Sequence, residues 1–168
     1  METIIGKLIE YIGRQMPEIN IVDEDYGQIE NLEEEDKDMY PLTFPAVLIE
    51  IPETTWSDIS GPNQKGTATI RVRLAIDCYD DTHDGYDNHL VKAMERSLMS
   101  RTLHHFLQGF RPLDNEAMDR IKTRFYTYNH GIKIYEHTYT LTVSDILPEQ
   151  TVPKPGKIIL KTSGNGIP

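Results

Sequence analysis

Residues 67–79, TATIRVRLAIDCY, alternate more strictly than any other part of the chain. Ala68, Ile70, Val72, Leu74, Ile76 and Cys78 share one parity; Thr69, Arg71, Arg73, Asp77 and Tyr79 share the other. A period of two sends successive side chains to opposite faces of an extended backbone, so the run reads as a β-strand with an apolar inward face and a polar outward one. Cys78, on the inward parity, is a core thiol in this reading.

The flanking segments supply an α+β domain around that strand. Ile4, Ile5, Leu8, Ile9, Ile12 and Met16 recur at three- and four-residue intervals, which predicts an amphipathic helix over residues 2–16, stopped by Pro17. FPAVLIEI, residues 44–51, is apolar on both parities and suits a strand covered on both sides. Between it and the alternating strand, residues 53–66 read as a long hairpin connection. Its Gly61 to Gly66 spacing imitates a phosphate loop, but Thr67 and Ala68 stand where Lys and Ser or Thr are required, and a strand follows instead of a helix.

Past Gly85 a second helix is expected from Leu90, Val91, Met94 and Leu98. Leu103, Phe106, Leu107 and Phe110 lie roughly 100° or more around an ideal wheel from that stripe, so a break is expected at residues 100–102, with Gly109 and Pro112 closing the helical region. MDRIKTRFYTY and IKIYEHTYTLTVSDI flank Asn129, His130 and Gly131 as a second hairpin. His137 shares a strand face with Tyr135, Tyr139, Leu141 and Val143, which favours a packed, hydrogen-bonded histidine over a catalytic one. The expected architecture is a mostly antiparallel four-stranded sheet of two hairpins, order α-β-β-α-β-β, in a single domain over residues 1–147. Residues 148–168, with three prolines before a short apolar run, read as a C-terminal extension.

The densest chemistry is DDTHDGYDNH, residues 80–89, with four aspartates and two histidines. Aligned on Asp80, a calcium loop would have Asp84 and Gly85 in place, but Thr82 at its third position and Val91 where the closing glutamate belongs. It would also need a helix where the strand enters. A zinc set of Cys78, His83 and His89 matches no structural spacing, and the chain has one cysteine. The segment is better explained as a strand-to-helix turn in which Gly85 turns the chain and Asp84 or Asp87 caps the first helical turn. No nucleophile elbow, S-x-x-K or H-E-x-x-H pattern occurs elsewhere. No metal or cofactor site is therefore expected, with a small metal-dependent hydrolase or nuclease using residues 77–89 as the rival reading.

Net charge is -10, of which residues 23–38, with nine acids and one lysine, hold -8. That balance disfavours nucleic-acid binding, which needs a basic patch to displace counterions. It predicts a mobile loop or a solvent-facing ribbon held only by Tyr26, Ile29 and Leu32. With 38% hydrophobic residues, no apolar run of membrane length and no secretory leader at the N-terminus, the expectation is a soluble protein made in the cytoplasm.

In order and texture the chain resembles the tail terminator, or tail completion, proteins of long-tailed bacteriophages. The carriers are the N-terminal helix ending at Pro17, FPAVLIEI, the strand GTATIRVRLAIDCYDD running into the second helix, and the closing strand ending YTLTVSDI, together spanning residues 1–146. The acidic segment and the residues after Pro148 have no counterpart in that arrangement. The resemblance implies a small α+β domain that forms a ring, usually of six subunits, stops growth of the tail tube and joins it to the head, without enzymatic activity. It implies a homo-oligomer with tail-tube and head-tail connector partners, located in the virion tail. The candidate interaction residues are Trp56 and Asp58 in the hairpin connection, Arg71 and Arg73 on the outward strand face, and Glu33, Glu34 and Glu35 in the acidic run.

Overall fold

The computed structural model describes residues 1–32, 42–60, 63–78, 86–113, 116–128 and 131–146, with backbone alone at 86 and 87. Helix α1 (Glu2–Gln15) is followed by strands β1 (Ile21–Glu24), β2 (Ala46–Ser60) and β3 (Asn63–Asp77), helix α2 (Tyr86–Leu107), and strands β4 (Asp119–Tyr128) and β5 (Ile132–Asp145). The class is α+β, as the sequence predicts. The sheet is mostly antiparallel, as expected, but among the described residues it has five strands instead of four, in the order β1-β2-β3-β5-β4, and β1 runs parallel to β2, from Ile21 beside Ala46 to Glu24 beside Ile49. The other pairs are antiparallel.

Both helices cover one face of this sheet. Ile4, Leu8 and Ile12 of α1, with Met16 just past its end, meet Val47 and Ile49 of β2, Ile70, Val72 and Leu74 of β3, and Leu103 and Leu107 of α2 in one buried cluster. The inward parity of β3 is thus as expected, with Cys78 buried at its end. Tyr11 stacks on Phe110 at 4.0 Å between centroids and fixes α1 against the end of α2. Gly109, at φ 78°, takes the left-handed conformation that ends a helix, and its N–H donates to the Met118 carbonyl at 2.8 Å.

The far face is covered as well, which corrects the reading of β3 as half-solvated. Ile29, Leu48, Ala75, Ile132 and Ile134 form a second buried cluster, with Leu42 and Phe44 against it. Arg73 lies on this face and is buried, 4% exposed. Its Nε and Nη2 donate to the two oxygens of Asp25 at 2.6 Å each, and Nη1 and Nη2 donate to Glu30. A buried guanidinium persists only when its donors and charge are met, and two carboxylates from the acidic segment do so. Burial opposes the Arg73 charge, yet the hydrogen bonds it donates to Glu30 and Asp25 outweigh it and raise its pKa; the same bond from Arg73 holds the Glu30 carboxyl below its ordinary value. Residues 21–30 are therefore built into the domain: β1 pairs, Ile29 is fully buried, and Tyr26 is exposed instead of anchoring the segment.

Residues 53–66 are not an open connection either. β2 and β3 stay paired from Glu53 beside Thr69 to Ser60 beside Asn63, and β5 follows along β3 as far as Asp145 beside Gln64. Pro52, which has no N–H to give the ladder, sits where the register shifts between Glu50 and Glu53, so the strand passes it on a bulge. The result is a three-stranded ribbon projecting beyond the helices.

Candidate functional site

Helix α2 changes partner halfway along. From Ser100 onward its inward side is made of Ser100, Leu103 and Leu107, all buried. Before Ser100 the half-buried positions are His89, Lys92 and Arg96, with Met99 partly buried against the core in the last turn before it. Leu90, Val91, Met94 and Leu98 face solvent, Leu90 at 56%, Met94 at 64% and Leu98 at 57%. Spacings of four residues place Leu90, Met94 and Leu98 in a continuous stripe. The expected break at residues 100–102 does not occur, since α2 is continuous; the phase change in its apolar residues marks a change of surroundings.

Beside the stripe a cleft of about 880 Å³ opens between α2 and the β4–β5 hairpin. Ser97, Arg101, His104 and His105 come from α2, Arg120 from β4, and Phe125 packs edge-on against Tyr135 at 5.3 Å to form an aromatic wall. Phe125 is 66% exposed, as is much of Ile121 on the same edge strand. Neither Arg101 nor Arg120 makes an ion pair among the described residues. Burial, then the charge of Arg120 and of His105, lowers the His104 pKa.

At the floor of the cleft Ser100 Oγ lies 3.0 Å from His137 Nε2, and His137 Nδ1 lies 3.3 Å from Thr123 Oγ1. Nucleophilic catalysis uses such a serine and histidine, with an acid behind the ring to stabilise the imidazolium. Here the group behind the ring is a threonine. Burial first, then Arg120 and His104, push the His137 pKa down to about 4, so the protonated ring that proton abstraction must produce is disfavoured at neutral pH. Tyr139 Oη, 3.2 Å from His104 Nδ1, is held protonated because burial raises its pKa. The network satisfies buried polar atoms, and His137 is the packed histidine that its strand parity predicts.

The residues singled out in the sequence do not gather here. Trp56 lies across Gly66 of the paired strand, so closely that a Cβ on Gly66 would come within 2.8 Å of its ring, and it remains 40% exposed. Asp58 accepts a hydrogen bond from Gln64 Nε2 at 3.1 Å on the same exposed ribbon. Arg71 pairs with Glu50, its cross-strand neighbour, and Arg73 is consumed by Asp25 and Glu30. Glu33, Glu34 and Glu35 lie outside the described residues, as do Asp80, His83, Asp84, Gly85 and the side chain of Asp87, and with them the proposed cap. Residues 148–168 lie outside too. Among the described residues no group of three or more His, Cys, Asp or Glu is placed to hold a metal ion, and no helix is long and apolar enough to cross a membrane.

Arg101, Arg120 and Phe125 were not singled out in the sequence, because none belongs to a motif. The one signal was the phase change in α2, which leaves two apolar stripes for one helix. Comparison with protein-family models and with curated proteins finds no match to this chain.

Proposed function

We propose that this chain is a non-enzymatic assembly protein that associates with copies of itself through the outward half of α2, and that the assembly is the ring that terminates a bacteriophage tail tube and joins it to the head. The observation that carries the self-association is the stripe Leu90, Val91, Met94 and Leu98, exposed while His89, Lys92 and Arg96 hold the half-buried positions of the same turns. Each such side chain contributes roughly 1.5–3 kcal/mol when it is removed from water, so the arrangement gives up stability in the single subunit that an interface would recover.

The tail role comes from the resemblance in element order. The projecting ribbon of β2, β3 and β5, with Trp56 and Ile59 exposed, supports it as a second surface that a ring can offer to the tube. A closed ring requires unlike patches to meet head to tail, and the stripe and ribbon are unlike patches on different parts of the subunit. Mixing the purified chain with preformed tail tubes and imaging by electron microscopy tests the role. Capped tubes of fixed length are expected; tubes that stay open beside an unassembled chain would refute it.

A further inference from the structure

The cleft next to the apolar stripe carries positive charge that no described residue of its own subunit neutralises. Arg101 and Arg120 are exposed and in no ion pair among the described residues, His104 and His105 line the cleft with them, and no acid is among its described lining residues. The nearest acid by sequence, Asp119, accepts a hydrogen bond from Gln108 Nε2 at 2.9 Å. The described residues on either side of the acidic run lie on the other side of the sheet. There the chain leaves the described structure after Leu32 and re-enters it at Leu42, which packs on the far-face cluster of Ile29 and Leu48. Between them run Glu33, Glu34, Glu35, Asp36, Lys37 and Asp38, five acids and one lysine, and then Met39, Tyr40 and Pro41. Asp25 and Glu30, the acids that precede this run, are already spent on Arg73.

We infer that the Arg101/Arg120 cleft of one subunit receives the acidic run of residues 33–38 from a second copy of this chain. This rests on the self-association proposed above and names the partner surface. The cleft lies on the helix-covered face, whereas the chain enters and leaves the acidic run beside Ile29 and at Leu42 on the far face, so stacking subunits head to tail would bring the complementary charges together, the arrangement a ring needs. The cleft suits a peptide: it is open along one side, its Arg guanidinium groups can fork onto carboxylates, and Phe125 with Tyr135 offers an apolar wall for Met39 or Tyr40. It also adjoins Leu98, so one docked subunit would cover cleft and stripe together.

The test uses a labelled peptide of residues 31–41, NLEEEDKDMYP, titrated onto the full chain. Binding should weaken about tenfold or more in Arg101→Ala/Arg120→Ala, and similarly between 50 mM and 500 mM salt, because the contact is charge on charge. A peptide with glutamine at 33, 34 and 35 should lose binding in the same way. Both arginines are exposed, so the double variant should keep the wild-type melting temperature. Equal binding by wild type and variant, or no binding at millimolar peptide, overturns the inference. So does a single-stranded oligonucleotide that binds with the same arginine dependence while the peptide does not, since the cleft would then be a phosphate site.

Assembly separates this inference from the reading beneath it. Arg101→Ala/Arg120→Ala and Glu33→Gln/Glu34→Gln/Glu35→Gln should each fail to assemble, and their equimolar mixture, having one intact junction, should stop at a dimer. If both variants assemble like wild type while serine substitutions in the stripe abolish assembly, the acidic partner is wrong and the stripe reading stands.

Discussion

The two halves of α2 are one uninterrupted helix with opposite habits. In the second half, Ser100, Leu103 and Leu107 are buried against the sheet and α1. In the first, Leu90, Val91, Met94 and Leu98 are exposed, and His89, Lys92 and Arg96 are the half-buried positions. Helical propensity cannot explain the difference, since Leu and Arg, both good helix formers, occur in both halves. The apolar stripe follows whichever surface buries it. Where the stripe turns about the axis without a break in the helix, a second surface is implied, and the described residues of the single subunit do not provide it.

Substitutions at matched positions should separate the halves. Leu103→Ala, in the fully buried half, should cost about 2–5 kcal/mol in chemical denaturation, through lost burial and the cavity left behind. A cost below 1 kcal/mol would mean that the second half is no more a core element than the first. Away from α2, Asp25→Ala sets a reference for the far face. It leaves the Arg73 guanidinium buried with Glu30 alone, and a loss of roughly 3 kcal/mol is expected.

The pH dependence probes the buried half through His137. Its pKa in the folded chain is pushed down to about 4, below the ordinary 6.5, so the unfolded chain binds the proton first as pH falls. Stability should therefore be level above about pH 6.5, decline from there toward pH 4, and owe on the order of 3 kcal/mol of that decline to this one ring. His104 is shifted in the same direction and adds to the slope. Comparing wild type with His137→Gln isolates the histidine; parallel stability curves from pH 6.5 to 4.5 would contradict the assignment.

The smallest effect is expected in the outward half. Met94→Ser and Leu98→Ser should change the stability of the single subunit by no more than about 0.5 kcal/mol, because both side chains are already in water. Dilute samples, with any assembly dissociated, are the place to measure it.

Much of the fold was legible because its signals are local. The α1 stripe up to Met16, the alternation of β3 and the β4–β5 hairpin each sit within one short window, and each has the predicted type. What was not legible depended on distant partners. β1 is four residues, IVDE, whose strand character comes from β2 lying more than twenty residues away. Arg73 had the right parity but the wrong surroundings: the acidic segment read as solvent-facing supplies the two carboxylates that allow it to be buried. The ribbon was hidden by Pro52 and by the Gly61-Pro62 pair, which punctuate a sequence otherwise rich in Thr, Trp and Ile. The cleft could not be seen because Arg101 and Arg120 are nineteen residues apart and meet only when α2 lies along the last hairpin.

The outward half of α2 is most directly tested by sedimentation velocity of wild type beside Leu90→Ser/Met94→Ser/Leu98→Ser over a range of concentrations, at equal melting temperature. The account predicts a wild-type oligomer that grows with concentration and a variant that sediments as a 19.3 kDa monomer. Two chains that sediment identically, both as monomers or both as the same oligomer, would contradict it.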